Sequence, residues 1–325
     1  MLHRFNLSLP IVALAFSIGC AQSSTPSVVG YPGSQGADRI VPPDLKTPIL
    51  ITLNTQTSAL EYWPIQPGGS TTPKTLSAPL GIYQSYGLVA NRDTVALANY
   101  SPAEVVTYNV KTKASKVLSD PYGGPVDIAI DKSGTLYALN IKNVAVFKAG
   151  SSQPSELSCS SMTEGIAIAV DDEGNVYVNG YGPGSFMGVV EYRAGSDNCR
   201  VLHLRVERGY AGGIGVDPKT DALIVVDNPN LCAGGLEGRM IIYPKPYLQR
   251  TSRRRNLGAT YCAGTFRLNS LSNLNFVSDS TVSAGYPIID QETYPSSKPE
   301  GVYQDGRYPQ GTFGGFTTIP NTLPN

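Results

Sequence analysis

The stretch AIAVDDEGNVYVNG, residues 167–180, reads as an apolar strand, a tight turn and a second apolar strand. Ala, Ile, Val and Tyr alternate in it as a half-buried sheet requires, and Asp171 to Gly174 supply the turn. The same phrase recurs as GLVANRDTVALAN, DIAIDKSGTLYALN, GIGVDPKTDALIVVD and TFRLNSLSNLNFVSD. In these copies the first strand ends at Asn91, Asp131, Asp171, Asp217 and Asn269, spaced 40, 40, 46 and 52 residues apart. An Asx side chain there can accept hydrogen bonds from its own turn, while Gly134 and Gly174 can take the positive φ of a short hairpin loop.

After the second strand most copies add a third (EVVTYNV, NVAVFKAG, GVVEYRAG, RMIIYPKP) and then a more polar fourth such as SKVLSD or PSELSC. Four antiparallel strands in about 40 residues describe a β-propeller blade, whose apolar face is buried only by stacking on the next blade. A row of blades must also close, or its end faces stay exposed. PILITLN and ALEYWPI match a second and a third strand with no first strand before them, and GGFTTIP, residues 314–320, matches the first strand GGIGVDP, residues 212–218. The fold class expected is therefore all-β: a six-bladed propeller of four-stranded antiparallel blades, the sixth blade completed by strands from both ends of the domain.

The chain has 325 residues, with 25 Lys plus Arg balancing 25 Asp plus Glu. No global field favours nucleic acid, so partners are read locally, and a monomer is expected. Residues 1–20 read as an export signal with a basic start and an apolar run, followed by a flexible Ser/Pro/Gly-rich linker over 21–46, the propeller over 47–320 and a tail over 321–325. Ser17-Ile18-Gly19-Cys20 resembles a bacterial lipobox, which makes Cys20 a lipidation site and the membrane a partner through that anchor. Cleavage after Ala21 is the alternative. In an exported setting Cys159, Cys199, Cys232 and Cys262 can form two disulfides. The repeat spacing favours Cys159 with Cys199 and Cys232 with Cys262.

The repeats resemble NHL repeats and the related gluconolactonase, senescence-marker and paraoxonase propellers over about residues 49–320. That resemblance implies a central channel lined by first strands, with ligands bound at the face carrying the second-to-third loops. Two of those loops are long, at 180–188 and 228–238. Every second strand ends in Asn or Asp: Asn54, Asn99, Asn140, Asn179, Asp227 and Asp279. Their oxygens suit calcium or another divalent cation, though a residue repeated in every blade is more simply a turn former. Asp127 and Glu164, which precede first strands, join Asn140, Asn179 and Asp227 as the candidate ligand-binding set. The lactonase-like resemblance further implies Glu164, Asn179 and Asp227 as metal ligands, with Asp227 as the candidate catalytic base for a metal-bound water, although the family glutamate opens the domain and Glu164 lies mid-chain.

No G-x-S-x-G, H-E-x-x-H, S-x-x-K or G-x-G-x-x-G occurs, and His203 is the single histidine beyond the signal. The leading functional expectation is an exported binding platform at the cell envelope for a small molecule, glycan or envelope protein, with no cofactor certain. A metal-dependent lactonase-like hydrolase and a structural interaction subunit are the alternatives. The basic run Arg250, Arg253, Arg254 and Arg255 is placed in a loop between blades five and six, where it docks an acidic group or is simply solvated. Tyr286, Tyr294, Tyr303 and Tyr308 line a sugar surface or cover the last blade's edge.

Overall fold

The computed structural model describes residues 48–82, 84–184, 187–204, 209–229, 238–247, 252–257, 263–269, 274–279, 288–296, 298–303 and 313–319. The stretches read as export signal and linker, with Cys20, and also Cys232, Cys262, Arg250, Tyr286 and Tyr308 lie outside them.

Blade one contains β1 (Ile49–Asn54), β2 (Ala59–Pro64) and the two-residue β4 (Lys74–Thr75), while β3 (Gly68–Ser70) leaves it for a neighbour. Blade two is β5 (Ser85–Asn91), β6 (Thr94–Asn99), β7 (Glu104–Asn109) and β8 (Ser115–Ser119). Blade three is β9 (Asp127–Ile130), β10 (Leu136–Leu139), β11 (Asn143–Phe147) and β12 (Ser155–Ser158). Blade four is β13 (Glu164–Val170), β14 (Val176–Tyr181), β15 (Met187–Tyr192) and β16 (Cys199–Leu202). Blade five is β17 (Gly209–Asp217), β18 (Ala222–Pro229), β19 (Arg239–Tyr243) and β20 (Arg253–Asn256). Blade six is β21 (Ala263–Asn269), β22 (Leu274–Asp279), β23 (Ile288–Thr293) and β24 (Lys298–Tyr303), and β25 (Phe313–Ile319) returns to blade one.

The structure is a six-bladed β-propeller. Its inner strands β25, β5, β9, β13, β17 and β21 touch one another in ring order, so each blade's first strand faces the axis. Closure uses both ends of the domain, as expected: β25 pairs antiparallel with β1, from Ile49 opposite Ile319 to Asn54 opposite Phe313. A second seam was not anticipated. The fragment β3 crosses to blade six and pairs parallel with its outermost strand, Gly301 to Tyr303 against Gly68 to Ser70. Tyr303 locks that seam, accepting a hydrogen bond from the Gln66 backbone N–H at 2.9 Å and donating to Gln291 Oε1 at 2.8 Å.

The core consists of the seams between blades. Each neighbouring pair shares one apolar cluster among the described residues, for example Leu53 and Tyr62 with Leu97 and Val106 between blades one and two, and Leu50 and Trp63 with Phe276 and Phe316 between six and one. Each fully buried aliphatic side chain contributes about 1.5–3 kcal/mol, and a blade without neighbours would leave both faces wet. Cys159, just after β12, and Cys199, which opens β16, form a disulfide with Cα atoms 5.8 Å apart. It ties the outer rims of blades three and four together across one repeat.

The inner hairpins use the Asx chemistry read from the sequence. Asp171 Oδ1 accepts from the N–H groups of Glu173 and Asn175, and Asp131 Oδ1 from that of Thr135. Gly134 and Gly174 have φ of 88° and 85°. The basic run is relocated: Arg253, Arg254 and Arg255 form β20, the exposed outermost strand of blade five. That position suits them because an edge strand rich in charge resists pairing with another chain.

Candidate functional site at the loop-bearing face

Strand direction divides the propeller into two faces. Linkers between blades and the second-to-third loops share one face, as their hydrogen bonds show: Tyr100 N–H to Gln84 O at 2.9 Å, Gly165 N–H to Ile141 O at 2.7 Å and Thr163 N–H to Tyr181 O at 2.7 Å. The first-to-second and third-to-fourth turns form the other.

The channel is bridged within the ring of inner strands. Arg267 on β21 reaches across it, donating to Asp127 Oδ1 at 2.8 Å and to the Leu88 carbonyl at 3.1 Å. Asp127 Oδ2 in turn accepts from the Ile168 N–H at 3.0 Å. One ion pair thus joins blades six, two, three and four, with the two side chains only 12% and 6% exposed. Asp127 therefore serves here as a brace, and Arg267 is a residue that the sequence reading passed over. Its signal is visible in hindsight: TFRLN puts a guanidinium in an inner strand where the other copies carry small or aliphatic residues.

The remaining candidates have separate engagements. Asn140 is buried and donates through Nδ2 to Asp120 Oδ2 at 3.2 Å and Asn143 Oδ1 at 2.9 Å. Asn179 is buried and donates to the Gly212 carbonyl of blade five at 3.0 Å. Asp227 is buried with Arg239 Nη2 at 3.8 Å from Oδ2. Glu164 lies exposed at the start of β13, opposite Tyr181. Among the described residues no group of three His, Cys, Asp or Glu is arranged to hold a metal ion.

Of the Asx residues read as ends of second strands, Asn54, Asn99 and Asp279 do end β1, β6 and β22, Asn140 follows β10, and Asn179 and Asp227 lie inside β14 and β18, which run on for two more residues. Asn54 Oδ1 accepts from the Gln56 and Thr57 N–H groups, the turn-forming role. Asn99 Nδ2 donates to Glu104 Oε2 at 3.3 Å. The Oδ1 atoms of Asn99, Asn140 and Asn179 are buried without a protein hydrogen-bond partner, positions suited to ordered water. Burial raises the Asp120 carboxyl above the ordinary aspartate range, against the lowering effect of hydrogen bonds from the Tyr122 N–H and Asn140.

Among the described residues, this face exposes several large apolar or aromatic side chains. Tyr86 is 56% exposed, Tyr100 38% and Ile141 41%, and the two tyrosine rings meet edge-on with centroids 5.9 Å apart. On the blade-three side of blade four, Gly180 lies opposite Gly188 in the β14–β15 ladder and neither contributes a side chain. A cavity of about 320 Å³ opens there, lined by Met162, Val178, Val190 and Val201 beneath Ser160 and Ser161.

The aromatic candidates resolve differently. Tyr303 is fully buried at the outer seam, and the Tyr294 hydroxyl donates to Asp217 Oδ2 at 3.1 Å, tying blade six to the hairpin of blade five. Both cover blade edges. His203 follows β16 on the exposed outer rim.

No protein-family model and no curated protein matches the chain. Among solved structures it is similar to a chain in the crystal structure of a nidogen/laminin complex, with TM-score 0.66 and 16% identity over 85% of this chain and 100% of that one. It is also similar to TolB from Acinetobacter baumannii, with TM-score 0.62 and 12% identity over 86% of this chain and 68% of that one. At these identities the likeness is one of fold, and the fold is the β-propeller.

Proposed function

We propose that this chain is a protein-binding propeller of NHL-like type, exported by its N-terminal signal and held at the cell envelope through Cys20. The observation that carries the reading is the exposed Tyr86–Tyr100 pair with Ile141 on the loop-bearing face. Large side chains exposed together on a rigid scaffold are what interface cores use, because aromatic rings supply contact area at little entropic cost. The ion pair across the channel favours a surface-binding role over passage or deep insertion of a ligand. The structural neighbour from a nidogen/laminin complex supports the idea that a propeller of this shape can serve in an assembly.

The test pairs Tyr86→Ala/Tyr100→Ala with Val117→Ala, which removes an exposed side chain from the outer strand β8. In envelope extracts, after in-cell cross-linking, the reading expects one partner retained by the wild type and by Val117→Ala and lost from the tyrosine double variant. Retention of that partner by the double variant, or no saturable partner for the wild type, overturns it.

A further inference from the structure

The opposite face carries a second site of different chemistry. Between blades two and three the first-to-second turns and the third-to-fourth turns enclose a groove of about 450 Å³. Arg92, Lys116, Lys132 and Lys148 line it, with Asp93 the one carboxylate among the lining residues. Asp93 is already matched by Lys111, 2.8 Å away. The nearby Asp131 carboxylate is occupied by its own turn, accepting from Ser133, the Thr135 N–H and Tyr137. None of the four lining cations has an ion-pair partner among the described residues, and all four are exposed.

In a chain whose charges sum to zero, this concentration of one sign is local and concave. Low-dielectric walls focus such a field, so the groove selects anions more strongly than a flat surface would. Leu118, Leu136 and Phe147 beneath it are buried in the blade interface, the apolar residues that reach its surface are the half-buried Ile130 and the exposed Ala149, and Thr94 and Asn109 stand at its rim. A pyranose ring has this same division, with a C–H face and a hydroxylated edge.

We infer that the groove between blades two and three binds an acidic saccharide, a sugar carrying a carboxylate or phosphate group. The ring lies against Ile130 and Ala149, and the anion faces the lysines. Lys suits this task as a mobile point charge that follows either anion, whereas a planar guanidinium fork prefers one geometry.

The probes are digalacturonate, glucose 6-phosphate, neutral cellobiose, inorganic phosphate and vesicles of anionic phospholipid, titrated at physiological ionic strength, where charges beyond about 8 Å are screened. The inference expects saturable binding of at least one acidic sugar, weakened about tenfold or more by Lys116→Gln/Lys148→Gln, as loss of about 1.4 kcal/mol would give. Arg253→Gln/Arg254→Gln on the exposed strand β20 removes the same charge elsewhere and should leave binding unchanged. Equal affinity for cellobiose, equal weakening by both variant pairs, or binding of inorganic phosphate or vesicles alone overturns it. This outcome is independent of the tyrosine test, which concerns the other face.

Discussion

Arg267 and Asp127 lie 140 residues apart and meet over the propeller axis, Nη2 to Oδ1 at 2.8 Å. Because the same guanidinium holds the Leu88 carbonyl and the same carboxylate holds the Ile168 N–H, the pair draws four of the six inner strands together. Removing one member of a buried pair leaves the other without compensation, which typically costs about 3–5 kcal/mol. Asp127→Asn keeps an acceptor for Ile168 and deletes only the charge, so it isolates the ionic part. The expected result in urea denaturation is a loss of about 3 kcal/mol for Asp127→Asn, and a smaller loss when Arg267→Met is added. Equal losses for the single and double variants would mean that the charge is not what matters.

The closing seams differ in weight. β25 supplies the whole inner strand of blade one, whereas β3 adds three residues at the rim of blade six. Gly69 has φ of 73°, and a side chain there would run into the Val302 carbonyl. Gly69→Ala should unpair β3 and lower stability by about 1–3 kcal/mol with the fold intact. Deleting 313–319 should abolish cooperative unfolding, read by calorimetry.

Tyrosines report on alkaline stability. Burial, reinforced by the Asp131 carboxylate, pushes the Tyr137 hydroxyl up to about 12. Burial does the same to Tyr192, with a contribution from Glu156, and to Tyr243, where Arg254 opposes it. In the unfolded chain these hydroxyls ionise near 10. A folded value above the unfolded one means the contribution is fully present below pH 10 and is lost as pH rises through 12. Unfolding free energies measured from pH 9 to 12 should fall across that window, with a shallower slope for Tyr137→Phe/Tyr192→Phe.

The disulfide closes a 40-residue separation between neighbouring blades. Loop-closure arguments assign such a link about 2–4 kcal/mol. Cys159→Ser/Cys199→Ser should therefore lower the melting temperature while leaving far-ultraviolet circular dichroism unchanged at 25 °C. An unchanged melting temperature would show that the blade interface alone carries the junction.

The blades were legible because their signal is local and repeated: a period of about 40 residues, alternating strands and Asx turns. The inner clasp was legible too, since GGFTTIP resembles another first strand. The fragment β3 was not, because three residues containing two glycines carry no strand pattern and gain their pairing from blade six. The basic run looked like a loop since nothing apolar alternates in it, yet an edge strand needs only backbone partners. The site was least legible of all. Asp127 and Arg267 are meaningful as a pair across the ring, and Lys116 and Lys148 converge only when blades two and three stack. Tyr86 and Tyr100 pass as ordinary strand residues until their exposure is known.

The clasp also puts both ends of the described propeller on one face. Ile49 opens β1 and Ile319 ends β25 side by side, both at the face of the hairpin turns. The first and last described strands of the propeller thus begin and end at the face of the basic groove, away from Tyr86 and Tyr100.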